Sequence, residues 1–475
     1  MTQPSTIRIE HDAFGPVEIP ADRYWGAQTQ RALDVFAIGE ERLPTCLVRA
    51  FGLQKLAAAR ANHRLGVLEA SLAAAVEAAA REVWEGRFDG HFPLVVWQTG
   101  SGTQTNMNAN EVIANRANEC LGHALGTRSP VHPNDHVNRS QSSNDSFPTV
   151  MHLCTALELR DRLLPALRLL HDTLAAKAVA FDDVVKIGRT HLMDAVPMTV
   201  GQAFRAFAAQ VASGIERVEA VAPRLHRLAQ GGTAVGSGLN ALPGFDAAFC
   251  AEVAALSGLP VIPNPSKFEG MGAHDALVEV SGALNVLAVS AIKIANDIRL
   301  LGSGPRCGLG ELVIPDDGLS SSIMPGKRNA TVAEALVQAA FQVVGNHATV
   351  SAAGASGTFE LNVAKPVLIH NLLQSIRVLA DGSRVFALRL VRDLDVDRDR
   401  LAGNVANALL LATALTPTLG YDRVAAITRK AMSEGLTPRA AAIALGLATG
   451  EEYDRLVDPV AMASPAAGGR RDPDA

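Results

Sequence analysis

Four polar segments interrupt a sequence that is otherwise rich in Ala and Leu, and each precedes or begins a helical pattern. They are Thr99–Gln104, Ser140–Asp145, Gly188–Leu192 and Ser320–Asn329. The first turn of a helix has free backbone N–H groups and a positive dipole end, which suit a carboxylate. Ser, Thr and Asn side chains add neutral donors, while Lys327 and His191 add positive charge. Together the segments predict a pocket for a small dianion.

Each segment has an ordinary structural explanation when it is taken alone. Ser-Ser-Asn before a helix is a common N-cap, a single His is commonly structural, and a Gly-Lys pair in a loop is commonly solvated. The Gly-x-Gly of the first segment lacks the strand and spacing of a dinucleotide-binding motif, and the sequence has no P-loop, HExxH or GxSxG pattern. The combination of the four segments therefore carries the prediction.

The composition favours a mainly α protein. Hydrophobic residues make up 48% of the 475 residues and aromatic residues 4%, and runs of β-branched residues are few. The formal net charge is −5 with no long run of one sign, which argues against a nucleic-acid groove and against a patch for an anionic membrane. This length suggests about three domains.

The five cysteines are far apart in the sequence and form no CxxC pair. We therefore expect buried free thiols in a reducing cytosol, and no metal or other cofactor held by cysteine. Charged residues from Arg8 to Asp12 precede any apolar run, so no signal peptide is expected and the cytoplasm is the predicted location. Two stretches without acidic or basic residues, 335–359 and 401–421, contain amides that a membrane span would leave unsatisfied, so we expect both to be buried in protein.

Long helical patterns fill the middle of the chain. The spacing of apolar residues predicts helices at 50–85, 109–121, 148–180, 199–230, 273–301, 331–351 and 365–394. Gly231-Gly232 is the expected C-cap of the fourth helix, while residues 1–50 and 122–145 are expected to be irregular. Because these helices carry so few charges, we expect them to be buried on several sides, in a bundle or an oligomer core.

Changes in helical pattern and charge along the chain predict how it is divided into domains. The expected division is an N-terminal domain at 1–140, a central helical-bundle domain at 141–364, a small C-terminal helical domain at 365–463 and a disordered tail at 464–475. The tail is rich in Gly, Pro and charged residues, which is typical of segments that cannot bury a core.

The last polar segment carries a family resemblance. Ser321–Asn329, with the sequence SSIMPGKRN, resembles the signature loop of the aspartase/fumarase superfamily. The segments that are similar to its class II fumarase branch are Thr99–Asn108, Gly188–Asp194, Gly232–Asn240 and Lys293–Arg299. Aspartases typically have Gln at the position of His191, so this His favours the fumarase branch. The resemblance extends from about Ile9 to about Met462 and implies the mainly α, three-domain fold of the superfamily with a long central helical bundle.

The resemblance implies a hydro-lyase that converts (S)-malate to fumarate and water reversibly, as in the tricarboxylic acid cycle, without a metal or other cofactor. The implied reaction is an acid/base anti-elimination through a carbanion with aci-carboxylate character. Because the proton beside a carboxylate is a very weak acid, electrostatic preorganisation should supply most of the rate. A homotetramer is also implied, in which each site combines residues of three subunits, with no nucleic-acid or membrane partner.

Residue roles follow from the resemblance. It makes Ser321 the base that removes the carbon-bound proton, His191 the acid/base partner on the hydroxyl side, and Glu334 the carboxylate that pairs with this His. Which residue makes each proton transfer stays open. Lys327 and Asn329 are expected to grip the carboxylate that accumulates charge. The other residues expected to bind the substrate are Ser101, Gly102, Thr103, Ser142, Ser143, Asn144, Thr190 and Ser322.

The segment His132-Pro133-Asn134-Asp135 resembles the turn at a second dicarboxylate site of fumarases. A plain structural turn and a regulatory site are both open alternatives. Fumarases often have Arg where this chain has Ser129, which puts the second site in doubt. In the signature loop, the family usually has Gly, Val and Pro where this chain has Ser320, Arg328 and Ala330. The additional Arg lies beside the loop lysine and could alter substrate preference or rate.

Three other functions compete with this prediction. Another lyase of the superfamily would act on aspartate or a substituted succinate, against which His191 and the Gly-Ser-Gly-Thr segment argue. A non-catalytic helical scaffold would show degenerate signature residues, whereas Ser321, Lys327 and Glu334 are all present. A metal-dependent hydratase would need a cluster framework, which five scattered cysteines do not offer.

Overall fold

The computed structural model describes residues 7–319 and 322–463, and within them the chain forms two compact units. The first unit comprises Met1–Pro165, Gly214–Val289 and Ala339–Ala380. The second unit comprises Ala166–Ser213, Ser290–Gln338 and Asp381–Ala475. The three domains expected from the sequence stay a prediction, and the expected disordered tail at 464–475 lies outside the described residues.

Helices account for most of the described chain. In chain order they are α1 (Ala27–Val35), α2 (Thr45–Arg64), α3 (Ala70–Trp84), α4 (Thr103–Cys120), α5 (Ser143–Glu158), α6 (Leu164–Ala180), α7 (Val200–Leu225), α8 (Phe245–Ser257), α9 (Lys267–Gly272), α10 (Asp275–Leu301), α11 (Thr331–Gly354), α12 (Lys365–Phe386), α13 (Arg398–Asn407), α14 (Thr416–Leu419), α15 (Tyr421–Glu434), α16 (Pro438–Ala444), α17 (Gly450–Leu456) and α18 (Pro459–Ala463). Segments of 3₁₀-helix lie at 89–91 and 409–415, and single π-turns at 133–137, 159–163 and 387–391.

Strands form four two-stranded sheets in the described chain. The strands are β1 (Ile7–Asp12), β2 (Gly15–Pro20), β3 (Val185–Thr190), β4 (Met193–Thr199), β5 (Arg227–Leu228), β6 (Ile262–Pro263), β7 (Leu312–Val313) and β8 (Asp395–Val396). The pairs β1–β2, β3–β4 and β7–β8 are antiparallel, while β5–β6 is parallel. The two longer hairpins lie at the N-terminus and around the segment that contains His191.

In the first unit, α2 packs against α3, α5 and α8. Much of α2 is alanine, whose small side chain favours the helix and allows a neighbouring helix to approach closely. A core of apolar residues, among them Leu56, Val76 and Val112, is excluded from water between α2, α3 and α4. This packing places the N-terminal ends of α4 and α5 in a fixed part of the unit.

In the second unit, the β3–β4 hairpin packs against α13 and α18. Its core includes Ile187 of β3 together with Leu411, Leu415 and Ile427 of the C-terminal helices. Leu411 and Leu415 of the charge-poor stretch at 401–421 therefore lie in this core, as expected, whereas Leu410 and Tyr421 of the same stretch are exposed. The hairpin tip, with His191, extends from a base that is held by this packing.

The helices predicted at 273–301 and 331–351 are confirmed as α10 and α11. By length and composition alone α10 could cross a membrane, but a core helix passes the same test. Leu277, Val280 and Leu284 of α10 are buried within the chain. Burial of these side chains supports the prediction of long helices in a protein core.

Several helix boundaries were predicted wrongly. The helix expected at 50–85 is divided at residues 65–69, and the one at 148–180 contains a π-turn at 159–163. The helix expected to start at residue 109 starts at Thr103, because the asparagines that suggested a loop are buried and hydrogen-bonded. The helix expected to end at Gly231-Gly232 ends at Leu225, since the next residues pair with β6 instead.

Residues 1–50 were expected to be irregular, which is wrong for the described part. A hairpin, α1 and the start of α2 occupy much of this segment. The Gly and Pro residues that suggested irregular chain lie at the bounds of β2, because Gly15 has φ +110° at the turn and Pro20 ends the strand. All five cysteines are free thiols, as expected, although only Cys154 and Cys250 are buried and Cys120 and Cys307 are exposed.

Candidate active site

Two glycines, Gly100 and Gly102, lie at the start of α4. A side chain at either position would collide with neighbouring atoms unless those atoms moved. Gly102 has φ +79°, and a Cβ on it would lie 2.1 Å from the ring of Phe147. A Cβ on Gly100 would lie 1.3 Å from the carbonyl oxygen of Val363. Ser101 and Thr103, which flank Gly102, form a hydroxyl–hydroxyl hydrogen bond of 2.7 Å. Three residues predicted to bind substrate are therefore held together at one helix N-terminus.

The start of α5 is fixed by a capping box. The Ser142 side chain accepts from the N–H of Asn144, and Asp145 accepts from the N–H of Ser142 at 2.9 Å. The other carboxylate oxygen of Asp145 accepts from the N–H groups of Gly231 and Thr233. Burial raises the pKa of Asp145 to about 6 against these hydrogen bonds, which favour its ionised form. Because Asp145 joins α5 to the 231–233 loop, this helix start is a rigid position.

A buried polar network lies beneath Ser143, the first residue of α5. The ammonium of Lys55 is within 2.8–3.0 Å of three side-chain oxygens, those of Asn106, Asn138 and Gln141. The amide nitrogen of Asn106 then donates to the Ser143 hydroxyl oxygen at 3.1 Å. Burial lowers the pKa of Lys55 to about 7, while the nearby Asp145 opposes this shift. We name Lys55, Asn106, Asn138 and Gln141 the amide network.

A second buried lysine lies at the start of α12. The backbone N–H of Lys365 donates to the carbonyl of Gly100 at 3.0 Å, which ties α12 to the segment before α4. Its ammonium is buried and has no hydrogen-bond partner in the described chain. Burial lowers the pKa of Lys365 to about 7, and Asp145 partly offsets the shift.

His191 lies at the tip of the β3–β4 hairpin. Thr190 pairs with Met193, so His191 and Leu192 form a two-residue turn, with φ +54° and +65°. Both values fall in the left-handed region, where Asn and Gly are the common residues of such a turn. Backbone in this region costs free energy and often marks functional sites. The strained tip is thus independent support for a functional His191.

Buried charges anchor the same hairpin. Glu311 is only 1% exposed and accepts a hydrogen bond of 2.5 Å from Arg189, the residue before Thr190. Asn404 donates to the same oxygen, and the Lys186 ammonium lies 3.9 Å from the other. The hydrogen bond to Glu311 raises the pKa of Arg189, so the guanidinium stays protonated. The base of the hairpin is therefore fixed while its tip is exposed.

A cavity of about 580 Å³ in the second unit contains much of the signature loop. Its lining includes Lys327, Asn329 and Glu334, together with Arg299 and Arg328. The Glu334 carboxylate accepts a hydrogen bond of 3.2 Å from Arg299. Three cations and one carboxylate give this cavity an excess of positive charge, which suits a dicarboxylate.

The structure brings the predicted residues together in two groups. Ser101, Gly102, Thr103, Ser142, Ser143 and Asn144 belong to the first unit, at the starts of α4 and α5. Lys327, Asn329 and Glu334 line the cavity of the second unit, whereas Thr190 and His191 lie outside that lining, exposed at the hairpin tip. Ser322 is exposed beside the cavity loop, and Ser320 and Ser321 lie outside the described residues.

The turn predicted as a second dicarboxylate site is a π-turn at Pro133–Val137. The Nδ1 atom of His132 accepts from the N–H groups of Asn134 and Asp135, both at 3.2 Å, so this His caps the turn. Burial lowers the pKa of His132, with a smaller contribution from Arg128. The cap is a structural use of His132, and a ligand role for the turn stays a prediction.

A cavity of about 360 Å³ adjoins this π-turn and is lined by Pro133 and Asn134. Its wall also contains the carboxylates of Glu10, Asp12 and Glu111 and one cation, Arg128. Because the carboxylates outnumber the cation and repel a dianion, this lining favours the structural interpretation of the turn.

Sequence reasoning missed Lys55, Asn106, Glu311 and Arg299. The sequence signal for Lys55 is a charged residue within the alanine-rich pattern of α2, on a turn that is buried all round. For Asn106 it is a row of asparagines in α4, which were assigned to a loop. Across residues 7–319 and 322–463 there is no group of three or more His, Cys, Asp or Glu side chains that could hold a metal ion.

Comparison with known proteins agrees with this architecture. A family model described as lyase matches residues 15–345, and a model described as fumarase C C-terminus matches residues 411–464. A mitochondrial fumarate hydratase 1 of Arabidopsis thaliana is 54% identical over 463 residues, which cover 97% of this chain and 94% of that protein. A class II fumarate hydratase of Methylorubrum extorquens is 55% identical over 460 residues, with 97% and 98% covered.

Solved structures show the same likeness. The crystal structure of class II fumarase from Schistosoma mansoni has a TM-score of 0.93 and 42% sequence identity, covering 97% of this chain and 100% of that one. The long helices are therefore those of a lyase of the aspartase/fumarase superfamily, and the predicted mainly α fold is confirmed. Within that superfamily, the chain belongs to the class II fumarate hydratase family, as its sequence predicted.

Proposed function

We propose that this protein is a metal-independent fumarate hydratase that interconverts (S)-malate and fumarate, as in the tricarboxylic acid cycle. The observation that carries the proposal is that the chain has both neutral donors at two helix starts and a cationic cavity lined by residues of the signature loop. Ser142, Ser143 and Thr103 supply the donors, and Lys327 with Asn329 supplies the cationic part. A four-carbon dianion needs both kinds of group, because its two carboxylates differ in the charge they accumulate during the reaction.

In the proposed mechanism, Ser321 removes the proton from the carbon beside one carboxylate of malate. The electron pair moves into that carboxylate, which becomes an aci-carboxylate with additional negative charge. Lys327 and Asn329 stabilise this charge. His191 donates a proton to the departing hydroxyl, which leaves as water from the opposite face. Glu334 pairs with His191 and orients it.

The remaining predicted residues hold the substrate. Ser101, Gly102, Thr103, Ser142, Ser143, Asn144, Thr190 and Ser322 would donate hydrogen bonds to its carboxylates. Positioning by these donors lowers the entropic part of the barrier as well as binding the dianion. Their neutral character fits this task, because a fully cationic site would hold the product too tightly to release it.

We further propose a homotetramer whose sites combine residues of three subunits. Exposed apolar side chains on the long helices support it: Val286 and Val289 on α10, Phe341 and Val344 on α11, and Val385 on α12. Apolar patches of this kind are typical of surfaces that other copies cover. The exposed positions of Thr190 and His191 are also consistent with a site that another copy completes.

A steady-state assay of the purified protein tests the activity. Fumarate should appear from malate by ultraviolet absorbance, and a chelator should leave the rate unchanged. Aspartate, argininosuccinate and a methyl-substituted malate serve as competing substrates. Release of ammonia from aspartate with inert malate would overturn the proposal. Light scattering should give a mass about four times that of one 49.9 kDa chain. We propose the cytoplasm as the location, which fractionation of the source cells would test.

A further inference from the structure

Lys55 defines the orientation of every amide in the amide network. In its protonated form Lys55 has three donors and no acceptor, so each atom at 2.8–3.0 Å from the ammonium must be an oxygen. The side chains of Asn106, Asn138 and Gln141 must therefore direct their oxygens towards Lys55. Their nitrogens are then forced to point away from it, which removes the usual freedom of an amide to turn over.

The orientation of Asn106 determines what Ser143 can do. With its oxygen on Lys55, Asn106 presents its nitrogen to Ser143 at 3.1 Å, and also to the oxygen of Asn138 at 3.2 Å. A nitrogen with two hydrogens can only donate, so the Ser143 hydroxyl must accept from it. The hydroxyl hydrogen of Ser143 is then directed away from α4.

The position of Ser143 explains why the direction of its hydroxyl hydrogen matters for substrate binding. It is the first residue of α5, is half-buried, and lies between Ser142 and Asn144 at the helix N-terminus. A carboxylate can only accept hydrogen bonds, so a serine there must donate if it is to contribute to binding. A serine with the opposite orientation would present a lone pair to the carboxylate and repel it.

We propose that Lys55 is a positioning residue for substrate binding: through Asn106 it makes Ser143 a hydrogen-bond donor towards the substrate carboxylate. The inference rests on the proposed function, since the carboxylate is that of malate or fumarate. Lys55 itself touches no substrate in this scheme. Its charge acts through two successive hydrogen bonds, Lys55 to Asn106 and Asn106 to Ser143.

The test reverses the direction of the hydrogen bond between Asn106 and Ser143 by replacing the amide nitrogen of Asn106 with an oxygen. In Asn106→Asp, both outer atoms of the side chain are oxygens, so the Ser143 hydroxyl must donate to the new carboxylate rather than to substrate. Lys55 remains to neutralise that carboxylate, so the variant should fold. The KM for fumarate should rise on the order of tenfold or more with kcat nearly unchanged, because a charge-assisted hydrogen bond made in both ground and transition states is lost.

A second variant and a double mutant separate positioning from stability. Lys55→Met should raise KM in the same way, while Lys55→Arg should restore part of the binding. In a Ser143→Ala background, neither Asn106→Asp nor Lys55→Met should raise KM further, because the hydroxyl they act through is absent. Additive effects on KM in this background would overturn the inference.

The matched control is Asn108→Asp, which places a carboxylate two residues further along α4. Asn108 is buried and its nitrogen donates to the carbonyl of His91, away from Ser143. This variant should lower the melting temperature and leave KM unchanged. If wild-type protein does not convert fumarate, the proposed function fails. If wild type is active and Asn106→Asp leaves KM unchanged, only the role of Lys55 fails.

Discussion

The two groups of site residues differ in how the single chain supports them. At the starts of α4 and α5, backbone and side chains are fixed by buried hydrogen bonds: the capping box, the link from Asp145 to the 231–233 loop, and the amide network. In the second unit, His191 lies exposed at a strained hairpin tip, and Lys327 lies in an open cavity. The groups of the first region that we propose to bind a carboxylate are therefore held in place within one chain.

This difference separates the groups proposed to bind the substrate from the groups proposed to transfer protons. Recognition groups need low reorganisation, so they belong where packing already holds them. Of the groups proposed to transfer protons, His191 lies where the described chain is exposed. The strain at His191 is tolerated because the buried pair Arg189–Glu311 secures the hairpin base. Variants in the two regions should therefore fail in different ways.

The largest effect is expected in the second region, from Lys327→Met. Loss of the cation that stabilises the aci-carboxylate should lower kcat/KM on the order of 10³-fold, mainly through kcat. Steady-state fumarate formation from malate measures this. The matched control is Arg328→Val, which removes the adjacent charge, paired at 3.2 Å with Asp316 on the surface. It should change the rate by no more than a few-fold, and equal losses in both variants would contradict the assigned role of Lys327.

His191→Asn should give the next largest effect. Removal of the acid/base group should lower kcat on the order of 10²-fold or more. Asn is favoured at positive φ, so the variant should unfold at the same or a higher urea concentration than wild type. A variant that loses stability together with activity would mean that His191 serves the hairpin rather than the reaction.

The sequence predicted one region better than the other. Ser142-Ser143-Asn144 was recognisable as an N-cap pattern, although the predicted starts of α4 and α5 were several residues too late. The long helices α10 and α11 followed from regular apolar spacing. The β3–β4 hairpin was missed, since its turn residues His191 and Leu192 are not those of a favoured turn.

Buried polar groups were the other failure of sequence reasoning. A lysine in an alanine-rich helix looks like a surface residue, and only the fold shows that Lys55 faces three amide oxygens. The same holds for Glu311, whose partners Arg189 and Asn404 are distant in sequence. Pairing at long range depends on tertiary contacts, which local patterns do not contain.

Lys365→Met tests how burial of this lysine in the first region affects the free energy of unfolding. The pKa of Lys365 is about 7 in the folded chain and near 10.5 when exposed, so the unfolded state binds more protons between these values. Wild-type stability should therefore rise with pH through this window, by up to about 1.4 kcal/mol per pH unit from this group. Met removes that slope, so the variant should be more stable than wild type at pH 7, with an advantage that shrinks towards pH 10.

Urea unfolding at fixed protein concentration measures this slope. Lys430→Met is the control, because Lys430 pairs with Glu434 along an exposed helix surface. Its pH dependence should match that of wild type. An unchanged slope in Lys365→Met would mean that the buried ammonium has a partner that compensates its desolvation.

The smallest effect concerns the strained tip itself. Leu192 has φ +65° and is 75% exposed, so Leu192→Gly should relieve strain while losing little burial. We expect a gain of about 1 kcal/mol in the free energy of unfolding, since the left-handed conformation costs an L-residue about that much. Leu192→Ala is the matched control, because it loses the same side chain but keeps the strain. Equal stability of the Gly and Ala variants would show that the tip is relaxed, and the contrast between the two regions would then rest on exposure alone.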